Sequence, residues 1–538
     1  MKFLRLPDPL LSVLYQDEEI IALDKPYGLN SHTNESKQGQ ADFVQHGLIE
    51  IFEKQLSRPL NVVHRLDQTT TGVIVFAKTT EAAKKYADYF FERKVEKCYY
   101  FVTANSSTKD HFFIDKKIIH KGKDLDAETE FKLVDKNSGF ELWQAFPHTG
   151  RNHQIRIHAQ AAGISIVGDE KYGGKPYLFL CLHNQQIKFP DGLTVSSNLP
   201  RYFSDLKLLS DLSLTKTLFS VDRRQRLFSI SNKLDQCCRL VHNKNEDKDL
   251  GFTLDQMGKN LILSVYQESW GNDHQKIFSY ISDFLQKPIL VRLMHNRGKD
   301  PLNKSQFLIA ANKDISTAPP QAEESWIAKE NTACYEMRSN SGQSFGLFLD
   351  QRLQREWVNK NSSGKSVLNL FAYTCGFSVV AALGLAAQVT SVDTSKTVLN
   401  WGKKNFELNH LDTNKHKFYL RDSIEYLDYC FKKNIRYDLI ICDPPSFSRG
   451  ESGVFKIETA LEDLLKKSLQ CLTGKGTLLF STNFEKFYID DIRKSILNVQ
   501  KNLKIKDLEI SSIQSALDFE LVGQAPILKS FLIRLTDI

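Results

Sequence analysis

Two groups of residues in this 538-residue chain have the types and spacing to do chemistry. The first begins at His64-Arg65-Leu66-Asp67-Gln68-Thr69-Thr70-Thr71-Gly72 and runs into the strand-like VIVFAK. A carboxylate on such a loop, followed by small hydroxyl residues and a glycine, can point into a cleft. An isolated Asp more commonly caps its own loop, but two other segments tilt the balance. Glu96-Lys97-Cys98-Tyr99 places a phenol at a strand start. Thr149-Gly150-Arg151-Asn152-His153-Gln154-Ile155-Arg156-Ile157-His158 gathers two arginines and two histidines in one short run. Read as a strand, it turns Arg151, His153 and Ile155 one way and Gln154, Arg156 and His158 the other. Polar groups on both faces predict a strand beneath a cleft.

The second group lies near the other end. VLNLFAYTCGFS, residues 367–378, reads as a strand, a turn of small residues and a helix start. Only Gly376 fits a glycine-rich loop. The next strand ends at Asp393, where an acidic group is placed to take a pair of ribose hydroxyls. Asp422 ends the third, and Asp443-Pro444-Pro445-Ser446-Phe447 follows LIIC. One such Asp is most often a loop residue; four successive strand ends bearing these groups predict a ligand crevice.

The elements that must hold these groups separate by texture. Residues 1–210 carry short β-like runs (SVLYQ, EIIALDK, TGVIVFAK, CYYFVT, GISIVGD) broken by turns, which predicts a mixed or mainly antiparallel sheet with a few helices. Residues 215–345 hold a smaller α+β pattern with LILSVYQ and a helical QKIFSYISDFLQ, closing on the polar, Pro-containing KDISTAPPQAEES. Residues 346–538 alternate strands and helices, the pattern of a doubly wound α/β sheet. The net charge of +7 is mildly basic and permits an anionic partner such as nucleic acid. Nine cysteines, none in C-x-x-C or zinc spacing, suit a reduced, cytoplasmic protein with no bound metal. Asp8 and two prolines interrupt the first residues, against a signal peptide. Residues 367–389 carry no charge over a membrane-spanning length, but their polar interruptions favour a buried strand, turn and helix start.

The first group resembles the RluA-type pseudouridine synthases. HRLDQTTTG matches that family's H-R-L-D-x-x-T-S-G with Thr71 in place of Ser, Lys97-Cys98-Tyr99 its K-x-Y, and TGRNHQIRIH with Ile166-Val167-Gly168-Asp169 and Tyr172-Gly173 its third block. The resemblance spans roughly residues 10–195. It implies that Asp67 is the catalytic carboxylate, that Arg156 pairs with it and favours its charged form, and that Tyr99 stacks on the base and serves in removing the C5 proton. The target must leave its stack, and Arg65 fills the vacated space; Arg151 and His153 are the other expected RNA contacts. The reaction implies no cofactor.

The second group resembles class I S-adenosylmethionine-dependent methyltransferases. The resemblance implies that Phe371, Tyr373 and Gly376 approach the methionine moiety, Asp393 the ribose and Asp422 the adenine, with DPPSF beside the target base. Upstream, Gly346-Leu347-Phe348-Leu349-Asp350-Gln351-Arg352 resembles the G-x-F-L-D-x-R signature of large-subunit rRNA methyltransferases acting on guanine N7 or cytosine C5, which adds Asp350 and Arg352 to the cofactor residues. The middle region is similar to their RNA-binding α+β domain. Cytosine C5 normally calls for a cysteine thiolate attacking C6; guanine N7 has an in-plane lone pair and needs positioning. DPPSF has no Cys beside its prolines, and Asn483 stands where a thiol would serve, so Asp443 and Asn483 are read as the groups that orient guanine. Cys442 and Cys375 keep the cytosine alternative open, and adenine N6 is a third. The chain is therefore expected to be a bifunctional RNA-modifying enzyme working on rRNA, with tRNA open for the first region and no DNA or membrane partner. The alternative is a non-catalytic RNA-binding ribosome-assembly protein.

Overall fold

The computed structural model describes all residues except 1, 34–46, 121, 229–234, 243–249, 267–271, 295–305, 310–324, 340, 342–343, 451–452, 520–525 and 537–538. The polar stretch after residue 312 therefore lies outside the described residues, Ser325 apart. Among the described residues the first region is built on a ten-stranded sheet. Its strand Thr71–Ala77 is buried throughout. Ile74 and Phe76 enter the main core with Phe101 and Trp143, while Val73, Val75 and Ala77 pack under Tyr86 of the helix Thr80–Phe91. A strand covered on both faces has to be a continuous apolar run, as this one is. It pairs antiparallel with Ile20–Lys25 and parallel with Leu182–Lys188, so the sheet is mixed, as expected.

Two expected strands are otherwise. GISIVGD forms turns and only an isolated bridge, Thr103 with Ile166. The predicted strand over residues 151–158 is the helix Gln154–Ala161. Its buried residues Gln154, Ile155, His158 and Ala159 repeat at helical spacing. Gln154 and His158 are buried with their polar atoms bonded inside, Gln154 to Thr149 and Thr129 and His158 to Thr129 and the Lys116 carbonyl, while Arg156 turns to the cleft.

Helix Leu212–Leu227 packs against both the first region and the middle unit: Phe219 stacks on Phe179 at 4.3 Å, Arg226 pairs with Asp24 at 2.9 Å and Arg223 donates to the Tyr27 carbonyl, while Leu218 and Val221 share a core with Leu240 and Phe278. The middle unit is a five-stranded sheet. Its parallel strands Asn260–Val265 and Ile289–Leu293 are joined by the helix Asn272–Leu285. The hairpin Ser325–Glu330/Ala333–Arg338 leans the other way, onto the helix Lys396–Leu408, where Asn405 Oδ1 accepts from the Glu336 amide.

The last region is a doubly wound sheet. Lys417–Leu420, Gln388–Asp393, Ser366–Leu370, Tyr437–Cys442 and Leu472–Thr482 run parallel in that spatial order, followed by antiparallel Lys529–Leu535 and then Leu508–Ile513. Strand order reverses at Ser366–Leu370, and the crevice at the carboxyl ends beside such a switch point is where ligands sit. Residues 367–389 resolve into strand, turn and helix; no helix among the described residues is long and apolar enough to cross a membrane.

One strand of this last sheet comes from the other end of the chain. Lys2–Leu4 pairs parallel with Leu508–Ile513, so the first residues complete the last domain's sheet. Behind them Arg352 is fully buried. Its Nη2 reaches Asp8 Oδ2 and Asp518 Oδ1 at 2.7 Å each, with Nε to Asp8 at 3.2 Å and Nη1 to Asp518 at 3.0 Å. Breaking a buried pair by removing one partner strands a charge and costs about 3–5 kcal/mol. Asp8→Ala should therefore unfold the last region's doubly wound sheet at clearly lower urea, although residue 8 is remote from that region in sequence. An unchanged midpoint would contradict the clamp.

Two candidate active sites

The first cavity, about 720 Å³, is lined by all six residues expected there: Arg65, Asp67, Tyr99, Arg151, His153 and Arg156. The loop carrying Asp67 is held from beneath by Lys25. This fully buried lysine donates to the carbonyls of Gln68 at 2.9 Å, Thr70 at 2.8 Å and Pro26 at 3.2 Å. Burial pulls its pKa down to about 7. The Thr71 hydroxyl bonds His183 Nδ1 at 2.9 Å, so it supports the loop and does not face the cavity. Gly72 has φ +107°, and a Cβ there would lie 2.1 Å from the Asn184 carbonyl oxygen; this position admits only glycine.

Around Asp67 the geometry refines the expected pairing. Arg156 Nη1 stands 3.4 Å from Asp67 Oδ2, but Nε and Nη2 make two 2.7 Å bonds to Asp169. Asp169 is thus the principal partner, and Asp67 receives what the fork leaves over. Burial opposes the charge on Arg156, but Asp169 and then Asp67 hold its pKa above normal. Tyr172 lies beneath the guanidinium at 5.0 Å and bonds His153 Nδ1 at 2.8 Å, while His153 Nε2 sits 3.5 Å from Asp67. His153 has left-handed backbone at φ +55°, which turns its ring into the site ahead of the helix Gln154–Ala161. Its pKa is lowered, chiefly by burial. Sequence reasoning gave Asp169 and Tyr172 no role; their place in the third block, one helix after Arg156, was the available signal. Tyr99 has its pKa raised by burial and by the Asp67 charge. Tyr99 thus keeps its proton at neutral pH where it lines the cavity with Asp67. Half-buried His64, stacked on Phe90 at the edge of the cavity, accepts from the Val75 amide through Nε2, and desolvation depresses its pKa to about 3.

The second cavity, about 950 Å³, falls within the range of small-molecule sites and lies at the switch point. It is lined by Phe371, Tyr373, Gly376, Asp393, Asp422, Asp350, Asp443 and Asn483. Phe371, Tyr373 and Cys375 all have positive φ, +53°, +46° and +62°. Three non-glycine residues in that conformation store strain of order 1 kcal/mol or more each. The turn is held by Asp393, which accepts from the Tyr373 and Ser395 amides at 2.9 Å each. Burial raises the Asp393 pKa. Asp422 spends one oxygen capping the helix Ser423–Lys432. Gly346 is fixed by contact: a Cβ would meet Trp401 at 2.6 Å.

Arg352 is the exception. The structure places it in the buried clamp and outside the cavity, correcting its expected cofactor role. Arg355, one turn further, lines the cavity instead and is held by two 2.6 Å bonds to Glu330. Glu336, Arg338 and Trp401 were also missed as lining residues, with Arg338 over the Trp401 ring at 4.3 Å. Asp443 has its pKa raised to about 7, first by burial and then by the Asp350 charge. Exposed Asn483 accepts from the Ser446 hydroxyl at 3.4 Å. Cys375 and Cys442 are buried and neither lines the cavity; burial lifts the Cys375 thiol to about 12 and Cys442 well above its usual range. The donor set fits an S-adenosylmethionine-like ligand: Asp393, pinned by two amides, for a diol, and Asp422's second oxygen beside it.

Comparison with known proteins agrees with this geometry. Residues 19–161 match the RNA pseudouridylate synthase family, and residues 276–503 the S-adenosylmethionine-dependent methyltransferase family. Over 272 residues the chain is 30% identical to the ribosomal RNA large subunit methyltransferase K of Neisseria meningitidis serogroup B, covering 49% of this chain and 72% of that protein. The ribosomal RNA large subunit methyltransferase K/L of Psychrobacter cryohalolentis is 38% identical over 214 residues, 39% of this chain and 26% of that protein. The match thus spans about a quarter of that longer relative. A solved methyltransferase, SMU.776 in complex with SAH, superposes with TM-score 0.52 at 26% identity, covering 66% of this chain and 88% of that one.

Two outcomes follow from the second cavity. Asp393→Ala should weaken SAH binding in calorimetry about ten- to a hundredfold, since it removes both the diol acceptor and the anchor of a strained turn. For Asp443, the folded value near 7 exceeds the usual 3.8, so the folded state holds this proton more tightly than the unfolded chain. The group costs stability above pH 7, and the cost fades as pH falls toward 4. Asp443→Asn should raise the melting temperature of the ligand-free protein at pH 8 and change it little at pH 4. No gain at pH 8 would contradict a carboxyl whose charge is disfavoured in the folded cavity.

Proposed function

Through its C-terminal half the chain belongs to the family of the ribosomal RNA large subunit methyltransferase K, and on that premise we propose a bifunctional RNA-modifying enzyme. Its N-terminal site isomerises uridine to pseudouridine, and its C-terminal site methylates large-subunit rRNA at guanine N7. The observation that carries the first activity is the Asp169–Arg156–Asp67 chain in a cavity that also holds Tyr99. Isomerisation breaks C1′–N1, turns the uracil and joins C5 to C1′; the C5 proton leaves and N1 takes up a proton, so composition is conserved and the reaction calls for no cofactor. Arg156, fixed by Asp169, aims Asp67 at the ribose. Tyr99 stacks on the base, and exposed Arg65 fills the gap left in the RNA.

S-adenosylmethionine supplies an electrophilic methyl group at the second site. Asp393 and Asp422 would hold its ribose and adenine, and the turn from Phe371 to Gly376 its methionine end. The burial of Cys375 and Cys442 supports guanine over the covalent route to cytosine C5, which needs a thiolate at the base. With a pKa near 7, Asp443 is partly protonated at neutral pH. In that form it donates to O6 beside N7, while Asn483 orients the ring. The paired charges of both sites also weigh against a non-catalytic assembly protein, which has no use for a strained turn or a bidentate carboxylate on Arg156.

The test is nucleoside analysis of rRNA treated with variants and methyl-tritiated cofactor. Asp67→Asn should abolish pseudouridine and leave methylation intact. Asn483→Ala should bind cofactor normally but lose about ten- to a hundredfold in rate, the worth of one orienting hydrogen bond. Cys442→Ser should keep activity, with label in 7-methylguanosine. Label in 5-methylcytidine lost on Cys442→Ser, or in a guanine or adenine amine, would replace the N7 reading.

A further inference from the structure

The helix Thr80–Phe91 ends with two adjacent phenylalanines that part company. Phe90 turns inward, stacking on His64 at 4.8 Å and meeting Phe189 edge-on at 6.1 Å. Phe91, about 100° further round the helix, is 88% exposed, the most exposed large apolar side chain among the described residues. A single exposed apolar residue is ordinary, but this one lines the mouth of the cavity that contains Asp67. Arg65, Arg93 and Arg151 line the same mouth, and Arg93 leaves the helix in the left-handed conformation at φ +59°. An unsupported aromatic face among guanidiniums is the surface that binds unpaired nucleotides: bases stack on the ring, and the cations take the phosphates.

We propose that Phe91 is a stacking platform for the unpaired base next to the target uridine, with Arg93 on the adjoining phosphate. The proposal rests on the reading of this cavity as an RNA-modifying site and adds a specificity determinant to it. A nucleotide flipped into the cavity leaves its neighbour without a stacking partner, and Phe91 at the rim replaces the contact that is lost. Phe91 is a positioning residue: it touches a neighbour of the reacting base and acts on binding, not on the chemical step.

The probe is a single-stranded RNA nonamer with a central uridine flanked by 2-aminopurine, with affinity and fluorescence measured for the full-length protein. The wild-type protein should quench the 2-aminopurine; Phe91→Ala should lose the quench and weaken binding about tenfold, and Phe91→Trp should restore both. Arg93→Ala should keep the quench but flatten the salt dependence of binding. In tritium release from 5-tritiated uridine in the same RNA, Phe91→Ala should raise KM and leave kcat nearly unchanged. Equal quenching and affinity in wild type and Phe91→Ala, or no quenching by saturating wild-type protein, overturns the platform. A Phe91-dependent quench without any tritium release would instead overturn the catalytic reading and leave the platform standing.

Discussion

A guanidinium buried out of reach of water must be matched in charge and in hydrogen bonds, and Arg352 imposes that condition on the whole chain. Its two carboxylates come from opposite ends of the sequence, Asp8 and Asp518. Burial works against the charge on Asp518, yet Arg352 holds its carboxyl below the usual range. The same Asp518 accepts from the Arg239 amide at 3.0 Å, and Arg239 pairs with Asp255 and covers the Phe519 ring at 4.5 Å. The first residues, the middle sheet and the last domain therefore meet at one polar knot inside apolar surroundings. A knot with one member missing costs more than it ever contributed when intact, so the arrangement specifies how the parts join more than it stabilises them. It also fixes the start of the helix Arg352–Asn361, which sets Arg355 on the wall of the second cavity just after the short turn Leu349–Gln351 that brings Asp350 and Gln351 there.

Both sites follow one rule: the carboxylate facing each cavity is fixed in place by hydrogen bonds and charges of its surroundings. Asp67 rides on a loop whose carbonyls are gathered by the buried Lys25, and it faces an arginine already committed to Asp169. Asp393 is locked by two backbone amides, one of them from the strained turn it supports. In each case the cost of holding charge in a partly dry cleft is met by fixed dipoles or a paired cation, which need not reorganise when substrate arrives.

Much of this was legible in the sequence, for physical reasons. Apolar runs covered on both faces, such as TGVIVFA and VLNL, admit few alternatives to strands. Strand-end acids at 393, 422 and 443 mark a crevice, because the topology brings carboxyl ends together. The failures are equally physical. A run with polar residues on both faces was read as a strand beneath a cleft, when its buried set 154, 155, 158 and 159 has helical spacing. Arg352 was carried with its motif into the cofactor site, because nothing local reveals that Asp8 and Asp518 await it. Nothing local to the helix Leu212–Leu227 reveals that Arg226 is buried against Asp24, some two hundred residues earlier. Partners remote in sequence leave no periodicity to read.

The central claim is that one scaffold carries two separately working RNA-modifying sites. Its most direct test is to incubate large-subunit rRNA from a strain lacking this chain with the purified protein, with and without S-adenosylmethionine, and to quantify modified nucleosides by mass spectrometry. The account predicts new pseudouridine in both samples and to the same extent, with 7-methylguanosine only where the cofactor is present. Pseudouridine that depends on the cofactor, or the absence of either product, would contradict it.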